Sequence, residues 1–282
     1  MKQILFLFLL QIAHVSAQSK NITLLDNWQD TSLMSNSSQV RYSGLWTFSK
    51  GNDEYAVIGT TEGAAFLQLM ENNELLFIDS IEGNYASSQA ITREYKRYQN
   101  YIYAIGDEGD ASLQIIDISY LPDSVTLANE VQDERVGKAH TIHIDSVNAL
   151  LYLCSVTPIV NGQALGLVPL RVFSLDNPLE PVLLWEGFED LAEVHDMELR
   201  DQIAILNCGF DGIRVYDFST PAAPIYLSNL EFYQNQGYNH QGSLSPDMST
   251  YVFADETPGT RIKKCAFSSN YDLQIQHNFG VP

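Results

Sequence analysis

Three observations in the sequence predict an all-β protein, built as a β-propeller of four-stranded blades. From about residue 42, short runs rich in Val, Ile, Leu and Tyr follow one another, separated by clusters of Gly, Asn, Asp and Pro. No window of about twelve residues shows a helical period with capping residues. A strand pattern then recurs at intervals of roughly 40 to 60 residues, the length of one blade.

Taken in order, the first element is a leader. Lys2 precedes the apolar run Ile4 to Ile12, and Val15-Ser16-Ala17 stands before Gln18. A basic start, a short apolar stretch and small residues before a cleavage point describe a secretory signal peptide over 1–17. The run is too short to span a bilayer, and no later stretch is long enough either. The expected location is therefore secreted or at the cell surface. Residues 18–41 are polar, rich in Ser and Asn, and read as a linker. Within it, Ile22, Leu24, Leu25 and Trp28 are placed to pin it to a blade.

The repeats occupy 42–282, with units near 42–89, 90–138, 139–193, 194–238 and 239–282. Ala64-Ala65-Phe66-Leu67-Gln68-Leu69 carries the recurring strand in the first unit, and Leu113-Gln114-Ile115-Ile116-Asp117 carries it in the second. It returns as Leu170-Arg171-Val172-Phe173-Ser174, as Ile213-Arg214-Val215-Tyr216-Asp217, and in degenerate form as Arg261-Ile262-Lys263-Lys264-Cys265. The glycine- and proline-containing stretch from Thr157 to Val168 reads as a surface loop inserted in the third unit. The pattern ends in what reads as an outer strand of the fifth unit.

Each unit opens with a strand of its own, and in three consecutive units that strand begins at a histidine: His140, His195 and His240. Apolar residues two and four positions on, such as Ile142 and Ile144 or Met197 and Leu199, give the two-residue period of a strand. If these strands line the axis, the three histidines share one rim of the channel.

On these residues the chain resembles the choice-of-anchor B proteins, secreted or surface-attached propellers of LVIVD-type repeats. The matching stretches are Tyr42-Ser43-Gly44-Leu45-Trp46, Tyr55 to Gly63, Arg93-Glu94, Leu113 to Asp117, Ala139-His140, Val194-His195-Asp196, Tyr238 to Asp247 and Asp255-Glu256. The likeness covers about residues 40 to 270. It implies a propeller fold and an extracellular or cell-surface location, and it implies no defined reaction. Members of that family continue through a further blade, so the resemblance implies a propeller truncated before its last one or two blades, with a ring closed on fewer blades as the alternative.

Composition excludes some functions. With 35 acidic against 15 basic residues the formal net charge is -20, which opposes binding to nucleic acid or to anionic lipid and favours holding cations. Three cysteines, Cys154, Cys208 and Cys265, are far apart and lie in or beside apolar runs, where buried free thiols are expected. Asp107-Glu108-Gly109-Asp110 lacks the twelve-residue calcium-loop pattern and reads as a solvated turn.

The candidate metal ligands are His140, His143, Asp145, His195, Asp196 and His240, because imidazole with carboxylate suits a divalent ion such as zinc or manganese, with calcium as the hard-ion alternative. The competing explanation is that each histidine caps a strand and bonds the neighbouring blade. No Gly-x-Ser-x-Gly elbow is present. The first expectation for function is a non-catalytic module presenting a face to an extracellular protein or glycan. The alternative is a metal-dependent hydrolase or lyase at the channel mouth, with Asp255 or Glu256 as general base.

Overall fold

The computed structural model describes residues 22–188 and 190–280; the leader assigned to 1–17 lies outside the described residues. Every regular element among them is a strand. The first sheet comprises β1 Tyr42–Lys50, β2 Asp53–Thr60, β3 Gly63–Leu69 and β4 Leu75–Glu82, and the second β5 Arg93–Tyr98, β6 Tyr101–Gly106, β7 Leu113–Asp117 and β8 Thr126–Val131. The third is built on β10 Thr141–Asp145, β11 Leu150–Val160, β13 Val168–Ser174 and β14 Val182–Gly187, with the short strands β9 Gly137–Lys138 and β12 Gln163–Ala164 beside β11. The fourth holds β15 Asp196–Arg200, β16 Ile203–Asn207, β17 Ile213–Asp217 and β18 Ile225–Leu230. The fifth holds β19 Asn239–Leu244, β20 Thr250–Asp255, β21 Ile262–Phe267 and β22 Leu273–Phe279. In each sheet the strands lie side by side in chain order and pair antiparallel, as in a propeller blade.

Position within a sheet explains the residue pattern. In the second, third and fourth sheets the second strands are covered on both faces, so β16 is buried at every residue and β6 at all but its first. Outer strands have one face in water and alternate, as in Val182-Leu183-Leu184-Trp185-Glu186-Gly187. Neighbouring sheets bury aliphatic and aromatic side chains between them. Val57, Phe66, Ile102 and Ile116 join the first to the second, and Tyr103, Ile115, Leu151 and Phe173 join the second to the third. Tyr152, Leu170, Leu206 and Phe218 join the third to the fourth, and Ile205, Val215, Tyr251 and Phe253 the fourth to the fifth. Each such side chain, fully buried, contributes about 1.5–3 kcal/mol. The first strands β1, β5, β10, β15 and β19 pack in succession, which places them along the axis.

Two segments behave differently from the sequence reading. Of the four apolar linker residues only Trp28 docks: its ring stacks on Phe77 at 6.0 Å and meets Tyr42 edge-on at 5.9 Å, whereas Ile22, Leu24 and Leu25 stay exposed. Polar contacts hold the rest, Asp26 accepting from the Leu75 amide and Met34 O from the Thr61 hydroxyl, both at 2.8 Å. The insertion is not wholly a loop. β11 runs on through Pro158 and Ile159, pairs with β9 and turns into β12, because Ile159 is buried against Gly137; only the tip is exposed. All three cysteines are free and buried, and burial raises their thiol pKa values, that of Cys265 to about 12.

Candidate functional site

The site forms where three first strands begin. His140 and His195 each stand one residue before their strand, their amides tied to the second strand through Cys154 O at 3.0 Å and Asn207 O at 2.7 Å. His240 is the second residue of β19. Because successive first strands are neighbours, the three rings form a ladder, His140 to His195 at 4.1 Å between ring centres and His195 to His240 at 4.3 Å.

Each ring has its own partner. His140 Nδ1 meets Asp107 Oδ2 at 2.8 Å, and that hydrogen bond raises the histidine above its ordinary pKa against the opposing effect of burial. His195 Nδ1 lies 3.0 Å from the backbone oxygen of His240. A carbonyl oxygen only accepts, so Nδ1 carries the proton and Nε2 keeps its lone pair. Burial first, then the flanking His140 and His240, lowers the His195 pKa to about 4, so at neutral pH the ring is an uncharged base. His240 Nε2 faces Glu256 Oε2 at 3.5 Å.

Further carboxylates converge on this rim. Glu193 pairs with the hydroxyl of Tyr238, whose ring meets His195 edge-on at 5.3 Å; burial and that carboxylate keep the phenol protonated. Gly209, with φ of 56°, lies against both, and a Cβ there would come within 2.8 Å of Glu193 Oε1 and of the Tyr238 ring. Further along, His143 Nε2 in mid-β10 bonds Asp196 Oδ1 at the start of β15, at 2.8 Å. Burial alone would raise the Asp196 pKa, but the His143 hydrogen bond and charge outweigh it and hold it low. Glu94 accepts from the Ile142 amide at 3.2 Å, and burial raises its pKa.

The residues picked from sequence therefore divide. His140, His195 and His240 come together, and Glu256 joins them. Among the described residues, His195, His240 and Glu256 form a trio whose donor atoms all lie within 4.8 Å of one another. His143 and Asp196 are each other's partners. Asp145 stands apart, closing a turn by accepting from the amides of Val147 and Asn148 at 3.0 and 3.1 Å. Asp255 is held by Lys263 Nζ at 2.6 Å with both side chains fully buried, which takes it out of contention as a base.

Sequence reasoning missed Asp107, Glu193, Glu94 and Tyr238. Asp107 had a readable signal: like Glu256, it directly follows the second strand of its unit, and both carboxylates pair with a rim histidine.

No protein-family model matches the chain, and no curated protein matches it. Solved structures do. A periplasmic gluconolactonase from Pseudomonas aeruginosa is similar at 11% identity and a TM-score of 0.64, over 85% of this chain and 72% of that one. A Lactobacillus plantarum protein of unstated function is similar at 13% identity and a TM-score of 0.64, over 84% and 70%. A candidate 6-phosphogluconolactonase from Bacteroides fragilis is similar at 12% identity and a TM-score of 0.59, over 84% and 70%. At these identities the likeness shows the fold.

Proposed function

We propose that the protein is a hydrolase of small uncharged cyclic esters, acting at the rim where His140, His195 and His240 adjoin. One observation carries this reading: Asp107 holds His140 Nδ1 at 2.8 Å, the orienting contact that leaves Nε2 as a directed base beside two further imidazoles. A purely structural cap needs one nitrogen bonded to a neighbouring blade. Asp107, following β6 in the neighbouring sheet, supplies such a bond, but a cap does not need that bond to come from a carboxylate, nor an uncharged imidazole 4.1 Å away. The lactonase descriptions of two of the fold neighbours favour the same class.

In this reading His140 Nε2 takes a proton from a water molecule as its oxygen bonds to the ester carbonyl carbon. The ring C–O bond then breaks, the same proton passes to the leaving alkoxide, and a hydroxy acid is released. Asp107 acts as a positioning residue. The carboxylates of Asp107, Glu193 and Glu256 around the rim oppose a phosphorylated substrate and favour a neutral one. The leader-type N-terminus, the choice-of-anchor B resemblance and the periplasmic neighbour support export to the cell surface or beyond.

The test is hydrolysis of uncharged aldonolactones against their 6-phosphorylated counterparts, with parent protein and His140→Gln. We expect turnover of the uncharged lactone to exceed that of the phosphorylated one. It should fall by about 10²- to 10⁴-fold in the variant while the melting temperature holds. A folded protein without activity on either, or with activity untouched by His140→Gln, returns the protein to the class of non-catalytic binding modules.

A further inference from the structure

A hydrolytic rim this rich in carboxylates lacks something. Negative charge develops on the carbonyl oxygen during attack, and among the described ion pairs no Lys or Arg reaches Asp107 or Glu256. The geometry points to a divalent transition-metal ion bound by His195 Nε2, His240 Nε2 and a carboxylate oxygen of Glu256, with a solvent-facing position left open.

Four observations support this. One ligand atom from each of the three residues already lies within 4.8 Å of the other two, where tetrahedral zinc with bonds of about 2.1 Å needs separations of about 3.4 Å. Glu256 is the adjustable member, its side chain 66% exposed, so it can close the difference by a rotamer change. His195 is oriented in the way metal-bound imidazoles are: its Nδ1–H is spent on a backbone carbonyl, and Nε2 is left bare. That carbonyl belongs to His240, so the contact that fixes one ligand also fixes its spacing from the other. Finally, His240 Nε2 and Glu256 Oε2 stand 3.5 Å apart, beyond a close charge-assisted hydrogen bond, and an ion between them would satisfy both.

The donor set selects the metal. Two imidazoles and one carboxylate suit zinc or manganese, whereas calcium takes six or more oxygens. Three protein ligands with an open fourth position are the arrangement of a hydrolytic rather than a structural site. His140 stands outside the trio because the donor atoms that lie within 4.8 Å of one another are those of His195, His240 and Glu256.

The purpose of this site rests on the hydrolase reading, but its test does not. Protein stripped with chelator is titrated with Zn²⁺, and separately with Co²⁺, without substrate. The parent, Glu256→Ala and His195→Gln are compared by calorimetry, by bound metal after dialysis and by the visible spectrum of the Co²⁺ form. We expect one ion per chain, visible bands of a low-coordinate Co²⁺ site, affinity at least about 10-fold weaker in Glu256→Ala, and no competition from Ca²⁺. Glu256 is exposed, so that variant reports on the site even if His195→Gln folds poorly. No stoichiometric binding, binding unchanged in Glu256→Ala, or Ca²⁺ bound more tightly than Zn²⁺ would overturn the assignment. Lactone turnover without metal binding would remove the metal and keep the hydrolase. Binding without turnover would keep the metal site and remove the hydrolase.

Discussion

Asp255 and Glu256 are adjacent in sequence and serve opposite ends. Asp255 closes β20 inside the fifth sheet, where it accepts from Lys263 Nζ at 2.6 Å, Tyr233 Oη at 2.8 Å and the Gly237 amide at 2.8 Å. The lysine ammonium also sits over the rings of Tyr233 and Phe253, at 5.3 and 5.8 Å. Every charge there is matched, and none meets water. One residue on, Glu256 is mostly exposed, and its one ion pair among the described residues is with His240. Alternation along an extended chain sends neighbouring side chains to opposite sides. The same functional group is thus a core fastener in one position and an unsatisfied ligand in the next. Burial and partner supply decide between them, and residue type does not.

The strongest way to break that contrast is Asp255→Ala. Lys263 would keep a buried ammonium without its counter-charge, so unfolding free energy should fall by about 3–5 kcal/mol. Chemical denaturation reads this directly. The paired change Asp255→Asn with Lys263→Met should recover much of the loss, since no unpaired charge then remains. A single variant within about 1 kcal/mol of the parent would put Asp255 back among candidate site residues.

The next effect distinguishes the ladder from the ion pair by pH. His195 titrates near its ordinary value in the unfolded chain and at about 4 in the folded one. The unfolded state therefore binds the extra proton first. The stability that comes from keeping the ring neutral is present above about pH 6.5 and drains away as pH falls toward 4, by up to about 3 kcal/mol. In metal-free protein, the stability difference between parent and His195→Gln should shrink across that window, since the carboxylates are common to both. A difference independent of pH would mean that the ring is hydrated and the ladder looser than described.

How much of this was legible follows the same divide. The fold could be read because strand period, turn residues and the blade repeat are local signals that each unit states again. The histidine ladder could be read for the same reason, its members sharing one repeat position. Asp107 was legible only as a position, directly after the second strand of its unit; its role was not, because that depends on a contact with His140 across 33 residues. Asp145 was overvalued for the converse reason. It lies near two histidines in sequence, but the pleat and the following turn direct it to the amides of Val147 and Asn148. The Asp255–Lys263 pair was invisible because nothing in an eight-residue spacing announces complete burial of both ends.

The smallest expected effect is the sharpest test of the comparison, because it makes nearly the same chemical change at both neighbours. Glu256→Gln and Asp255→Asn each delete one carboxylate charge and keep the side-chain shape. At Glu256 the charge is solvated, and its contact with His240 is a single partly exposed pair, so unfolding free energy should move by no more than about 0.5 kcal/mol. At Asp255 the change takes the counter-charge from an ammonium with no water to turn to, and the loss should be several times larger. Read by denaturation at neutral pH in chelator, the two substitutions should separate cleanly. Should Glu256→Gln cost as much as Asp255→Asn, Glu256 would be a structural partner of His240, and the open side of the histidine ladder would have no free ligand to offer.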